Sequence, residues 1–177
     1  GKTRVLTYRI AYMLQQGIPA SQIMALTFTN KAAREMKERI LKLVPAQDAR
    51  YLSMGTFHSV CVHLIRPYAD QLGYTSAFTI YDTADSKSLL RAICKERGLD
   101  EKIYKPSAVL GRISMAKNNL VTAEAYMRNE AAMQKDTLAK KPLIWKIYQL
   151  YAYKCKQAGV MDFDDILLNM NILLRDN

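Results

Sequence analysis

Along the first forty residues the spacing of apolar positions changes twice. From Thr3 to Gln16, Val5, Leu6, Ile10, Met13 and Leu14 recur at helical spacing, and Gly17 with Pro19 ends the run, so the chain is expected to open on a helix. Residues 23–28 are short, apolar and closed by Thr27 and Phe28, which reads as a buried parallel strand. Over residues 31–44, Ala32, Ala33, Met36, Ile40 and Leu43 share one side while Lys31, Arg34, Glu35, Lys37, Glu38 and Arg39 surround the rest, predicting an amphipathic second helix. Helix, strand and helix in that order predict an α/β unit.

Residues 51–54 read as a second short strand, and residues 57–71 as a helix carrying Phe57, Val60, Cys61, Leu64 and Ile65, with the Thr56 and Ser59 hydroxyls at its start to cap it. Residues 78–81 are extended, and Asp82 with Thr83 offers caps for a helix from about Ala84 to Arg97, ended by Gly98. Helical spacing then dominates to residue 158, with Pro106 in a first turn, a break at Asn118 and Asn119, and Trp145, Ile147, Tyr148, Tyr151 and Tyr153 in the last long helix. After Gly159, Phe163, Ile166, Leu167, Met170, Leu173 and Leu174 form one apolar face of a final helix that Asp162 can cap. The expected fold is α/β but mostly helical: part of a parallel sheet from residues 1–82, an all-helical insertion over 83–158 with no strand, and a return to the first domain at 159–177.

Half of the 177 residues are hydrophobic, enough for a packed core. The net charge of +10 fits either a polyanionic partner such as nucleic acid or simply a basic, soluble surface. Cys61, Cys94 and Cys155 are far apart and form no C-x-x-C pair, and His63, two residues from Cys61, suits neither a shared helix face nor a zinc knuckle. The chain therefore reads as reduced and cytoplasmic, without an apolar run of membrane-spanning length or a signal pattern at its start.

Candidate chemistry gathers in four places. At residues 24–40 a strand runs into a polar turn and a basic helix, where free backbone N–H groups and the side chains of Thr29, Asn30 and Lys31 suit an anion, phosphate above all. Phe28 beside them reads as plain core or as a stacking surface for an unpaired base. Gly1-Lys2-Thr3 matches the end of the phosphate loop G-x-x-x-x-G-K-[ST], although by itself such a tripeptide is an ordinary N-terminus. In Gly55-Thr56-Phe57-His58-Ser59, Thr56 caps a helix and His58 packs on its neighbour, or the group receives a phosphate; a metal role for His58 lacks a partner at i+3 or i+4. Asp162-Phe163-Asp164-Asp165 offers paired carboxylates, whose commoner use in a first turn is to stabilise the positive end of the helix.

In order and spacing these four pieces resemble the amino-terminal part of superfamily 1 DNA helicases of the UvrD/PcrA/Rep type, over nearly the whole chain. The resemblance implies a partial P-loop NTPase (RecA-like) motor domain interrupted by a helical subdomain, and an ATP-driven 3′-to-5′ motor on single-stranded DNA that splits duplex. It implies that Lys2 contacts the nucleotide phosphates, Thr3 holds Mg2+ through its hydroxyl, Gly1 belongs to the loop and Arg4 lies beside them. It also implies that Phe28, Thr29, Asn30 and Lys31 (motif Ia) and Thr56, His58 and Ser59 (motif Ib) contact DNA. Asp162-Phe163-Asp164-Asp165-Ile166 corresponds to D-F-D-D-L, with isoleucine where leucine is usual. The acidic motif D-E-x-Q-D does not occur in the 177 residues, so the chain is expected to be a helicase fragment that does not itself turn over ATP. Partners implied are single-stranded and duplex DNA, ATP, and repair or replication proteins. The rivals are the amino-terminal motor of a helicase-nuclease, a phosphate-loop kinase without affinity for DNA, and a basic helical nucleic-acid-binding module without ATPase activity.

Overall fold

The computed structural model describes residues 2–176, which divide into two compact units, one reaching to Leu64 and the other starting at Ile65. In the first unit, α1 (Lys2–Gln15) ends where Gly17 takes a left-handed backbone (φ 83°), a conformation that costs a residue with a Cβ. β1 (Met24–Thr27) leads into α2 (Asn30–Ile40), and β2 (Ser53–Thr56) leads directly into α3 (Phe57–Ile65). β1 and β2 pair in parallel, with Met24 opposite Ser53 and Thr27 opposite Thr56. Ile10 and Ala11 of α1, Ile23 and Ala25 around β1, and Met36, Ile40 and Val44 from α2 onward form one buried cluster. The apolar stripes that predicted two helices and a strand thus meet on one core.

The second strand lies two residues further along than expected. Tyr51 is exposed in a turn, and pairing begins only at Ser53, because the register that lets Gly55 face the core follows β1 and not the local apolar run. The helix predicted over 57–71 stops at Ile65 and continues as a tighter 3-10 segment, Arg66–Leu72. Pro67 has no N–H to carry an α-helical ladder through that turn.

The second unit opens a second parallel pair, β3 (Thr79–Tyr81) with β4 (Val160–Asp162), Thr79 opposite Val160 and Tyr81 opposite Asp162. β4 went unread in the sequence because its three residues directly follow a glycine and the last of them, Asp162, is itself the helix cap. Between these strands the described elements are all helical: α4 (Thr83–Glu96), α5 (Pro106–Asn118), α6 (Ala123–Met127), α7 (Glu130–Leu138) and α8 (Ile144–Gln157). α9 (Phe163–Asp176) follows β4 without a break. Leu90, Ile93, Val109, Ile113, Ile144, Ile147, Tyr148 and Tyr151 fill the helical core. Asp82 caps α4 by accepting from the backbone N–H groups of Ala84 and Asp85 at 2.7 and 2.8 Å, and Asp85 accepts in return from the Asp82 N–H.

α7 is pinned by a polar bond and not by an apolar stripe. Its Asp136 is 3% exposed, takes the Arg112 guanidinium from α5 at 2.6 Å and accepts the Tyr126 hydroxyl from α6. No helix among the described residues is long and apolar enough to cross a membrane.

Candidate functional site

Because Thr27 and Thr56 are partners in register, the chain leaves both strands of the first unit at the same height. The next residues, Phe28 and Phe57, therefore emerge side by side, their ring centroids 5.3 Å apart and their planes tilted by 38°. Phe28 is 89% exposed, so it is not a core residue. An aromatic side chain left in water at the carboxyl end of two parallel strands departs from the usual burial of such groups, and large exposed apolar rings of this kind mark contact surfaces.

Each phenylalanine is followed by a helix start. Thr29 holds an extended backbone (φ −128°, ψ 146°) and its hydroxyl accepts the Ala32 N–H at 3.1 Å, which turns the chain into α2 and leaves Asn30 and Lys31 exposed in the first turn. Thr56 does the same for α3: its hydroxyl accepts the Ser59 N–H at 3.2 Å, while the Ser59 hydroxyl donates to the Thr56 carbonyl at 3.0 Å. Ser59 is exposed and His58 half-buried. Residues 28–31 and 56–59 thus form one surface in which two positive helix ends, hydroxyls, an amide and an ammonium flank an aromatic pair. Its chemistry fits a phosphate-bearing chain whose bases can stack.

Gly55 sets how closely α3 packs on β2. A Cβ there would lie 2.5 Å from the Ser59 Oγ and 3.2 Å from the Val60 Cγ2. Gly55→Ala is therefore expected to push Ser59 out of its bonds with Thr56 and to cost roughly 1–3 kcal/mol, as overpacking does, in urea unfolding followed by far-UV dichroism. An unfolding curve superposable on that of the parent would show that Ser59 rotates aside freely.

Gly1 lies outside the described residues. Lys2, Thr3 and Arg4 are exposed on the first turn of α1; the Thr3 carbonyl accepts the Thr7 hydroxyl at 2.9 Å, and the Arg4 guanidinium stands 5.6 Å from the Tyr8 ring centroid. An ammonium, a hydroxyl and the unshared N–H groups of a helix start suit a polyphosphate and its cation. Among the described residues no group of three or more His, Cys, Asp or Glu side chains could hold a metal ion.

The Asp162–Asp165 cluster caps its helix, as the sequence suggested, and has a second role that the sequence did not show. Asp162 and Asp165 cap α9 reciprocally, the Asp162 Oδ1 accepting the Asp165 N–H at 2.8 Å and the Asp165 Oδ2 accepting the Asp162 N–H at 3.1 Å. Both also bind one ammonium, that of Lys117 on α5, at 2.6 and 2.7 Å, and the Tyr151 hydroxyl from α8 donates to Asp162 at 2.9 Å. Lys117 is 2% exposed and Asp162 4%. Burial works against the Lys117 charge, yet the carboxylates of Asp165 and Asp162 outweigh it and hold the ammonium above its ordinary range. Burial likewise raises Asp165, to about 6, with Lys117 opposing and Asp162 adding to the rise, whereas the Lys117 charge overcomes the burial of Asp162 and holds it low. Sequence reasoning missed Lys117. Its signal is its place four residues after Ile113 on the buried stripe Val109, Ile113, Ala116, Lys117, where a solvated lysine does not belong.

The whole of residues 1–177 matches the family model described as UvrD/REP helicase N-terminal domain. The chain is 40% identical over 169 residues to the ATP-dependent DNA helicase PcrA of Staphylococcus aureus, covering 95% of this chain and 22% of that protein. It is 41% identical over 170 residues to PcrA of Bacillus subtilis, again 95% and 22%, and 41% identical over 169 residues to the ATP-dependent DNA helicase UvrD1 of Mycobacterium leprae, 94% and 21%. The chain thus spans about a fifth of the length of these curated relatives. With a match that runs from end to end and about two residues in five shared with each relative, the chain belongs to the UvrD/REP helicase N-terminal domain family.

Proposed function

We propose that this chain is the amino-terminal part of the first motor domain of a cytoplasmic ATP-dependent DNA helicase, RecA-like in fold, that moves 3′ to 5′ along single-stranded DNA and splits duplex. The observation that carries the reading is the exposed Phe28 set beside Phe57 between two helix starts, in a chain about 40% identical to ATP-dependent DNA helicases over 95% of its length. Phe28 supplies the face on which an unpaired base stacks, while Thr29, Asn30, Lys31, Thr56, His58 and Ser59 meet the sugar-phosphate chain. Gly1, Lys2 and Thr3 receive the nucleotide phosphates and Thr3 the Mg2+ ion, with Arg4 beside them. The bound ion would neutralise phosphate charge; what these residues do is hold the phosphates at a fixed place on α1. Residues 83–158 form a helical insertion in the motor domain, which residues 159–177 rejoin. Because the 177 residues carry no acidic D-E-x-Q-D motif, they are not expected to turn over ATP themselves.

The test is titration of a fluorescent single-stranded oligonucleotide at two salt concentrations. Phe28→Ala is expected to weaken binding by roughly 1–3 kcal/mol, about five- to a hundredfold, with the salt dependence unchanged, because a stacking contact releases no counterions. Binding that is abolished by salt and indifferent to Phe28→Ala would reduce the surface to non-specific charge.

A further inference from the structure

The first unit carries most of the chain's excess charge. Up to Leu64 there are nine Lys and Arg residues against three acids, Glu35, Glu38 and Asp48, so +6 of the total +10 falls there. The motifs account for only Lys2, Arg4 and Lys31 of the nine. A crevice of about 430 Å3 between α1 and the carboxyl end of α2 gathers Arg39 and Lys42 together with Arg4, over a floor that includes buried Thr7 and half-buried Leu43, with Tyr8 on its wall. Arg39 is partly engaged, 3.6 Å from Glu35 on an exposed face where such pairs are weak, and Lys42 is exposed.

We propose that this crevice is a second binding site for single-stranded nucleic acid, holding backbone phosphates away from the Phe28 surface. Arg39 and Lys42, which no motif accounts for, line this cavity together with Arg4, and a cavity lined by cations attracts polyanions. What points to nucleic acid over a free polyphosphate is the α1 surface beside it. Arg4, Tyr8 and Tyr12 follow at i, i+4 and i+8, and the two tyrosines are 51% and 57% exposed. Exposed rings interleaved with cations serve a ligand that has bases as well as phosphates. The assignment stands apart from the role of Phe28 and does not require it.

The test uses the whole chain and a fluorescein-labelled oligothymidylate, comparing Arg39→Gln/Lys42→Gln with Lys95→Gln/Lys102→Gln, which removes the same charge from exposed positions of the second unit. Each single-strand phosphate contact adds about 0.7 to the slope of log affinity on log salt, so the crevice pair is expected to lower the slope by about 1.4 and weaken binding roughly tenfold near 0.15 M salt. The remote pair is expected to leave the slope unchanged. On a Phe28→Ala background the crevice effect persists, and it persists also if Phe28→Ala itself has none, which separates failure of this site from failure of the Phe28 reading. Equal effects of the two pairs, or no effect of the crevice pair, would overturn the proposal. Calorimetry with inorganic pyrophosphate distinguishes the source of the phosphate: heat lost in the crevice pair while oligonucleotide binding stays intact assigns the cavity to a free polyphosphate instead.

Discussion

Lys117→Met is expected to destabilise the second unit by roughly 3–5 kcal/mol, the cost of breaking a buried ion pair from one side. Methionine matches the length of the lysine stem and suits the apolar stripe of α5, so packing is nearly conserved and the loss reports charge. Without the ammonium, Asp162 and Asp165 face each other in a site where Asp162 is 4% exposed, sharing only the cap of α9 and the Tyr151 hydroxyl. Trp145, the single tryptophan, packs partly buried against the same helical core, so its fluorescence follows urea unfolding of this unit alone. Against a total stability of about 5–15 kcal/mol for ordinary domains, the expected loss is a large share and lowers the midpoint substantially. Adding Asp162→Asn and Asp165→Asn to Lys117→Met is expected to restore much of it, because the three substitutions together leave no uncompensated charge. A loss below about 1 kcal/mol for the single variant would mean that water already reaches the carboxylates.

The cluster ties elements distant in sequence to one point. Lys117 comes from α5, Tyr151 from α8, and Asp162 and Asp165 from β4 and α9, so the helices between β3 and β4 are fastened to the head of α9 by direction-dependent bonds and not only by apolar packing. An apolar contact there would tolerate sliding of α9 by a fraction of a turn. Two carboxylates on one ammonium do not. Asn118, next to Lys117, adds a bond from its amide to Asp164 at 3.3 Å.

What could be read from the sequence follows from how local its causes are. α1, β1 and α4, and α2 as far as Ile40, were legible because their apolar period, the cap of α4 at Asp82 and the stops at Gly17 and Gly98 lie in or next to the element concerned. β2 was misplaced by two residues because its register is set by β1, across a connection that the apolar pattern does not encode. β4 is three residues long and exists because β3, some eighty residues earlier in the chain, offers it an edge. The surface at Phe28 was found through its neighbours in sequence, but its defining property, exposure beside Phe57, arises only once the two strands align. Lys117 was invisible as a partner of Asp162 for the same reason: an aspartate in a first turn has a sufficient local explanation as a cap, and nothing local reveals that it also neutralises a buried ammonium.

Between about pH 7 and pH 4 the same cluster is expected to make the second unit more stable as the solution becomes more acidic, against the usual trend for carboxylate-rich proteins. Burial pushes the Asp165 carboxyl up to about 6, above the ordinary aspartate range, so the folded state takes up this proton more readily than the unfolded one. A carboxyl raised in this way lowers stability above its folded pKa, and the penalty is relieved as pH falls through 6 towards 4. Asp162 acts with the opposite sign: its pKa is held low by Lys117, so its contribution is lost only below the ordinary aspartate range, where stability should turn down. Asp165→Asn keeps an oxygen that can accept the Asp162 N–H and leaves one ammonium on one carboxylate. The variant is therefore expected to be more stable than the parent at pH 7 and to lose the rise between pH 7 and pH 4, when Trp145 fluorescence in urea is followed across that range. If parent and Asp165→Asn give parallel profiles, the proton at Asp165 is not what couples this cluster to pH, and its two carboxylates are both ionised on the one ammonium throughout.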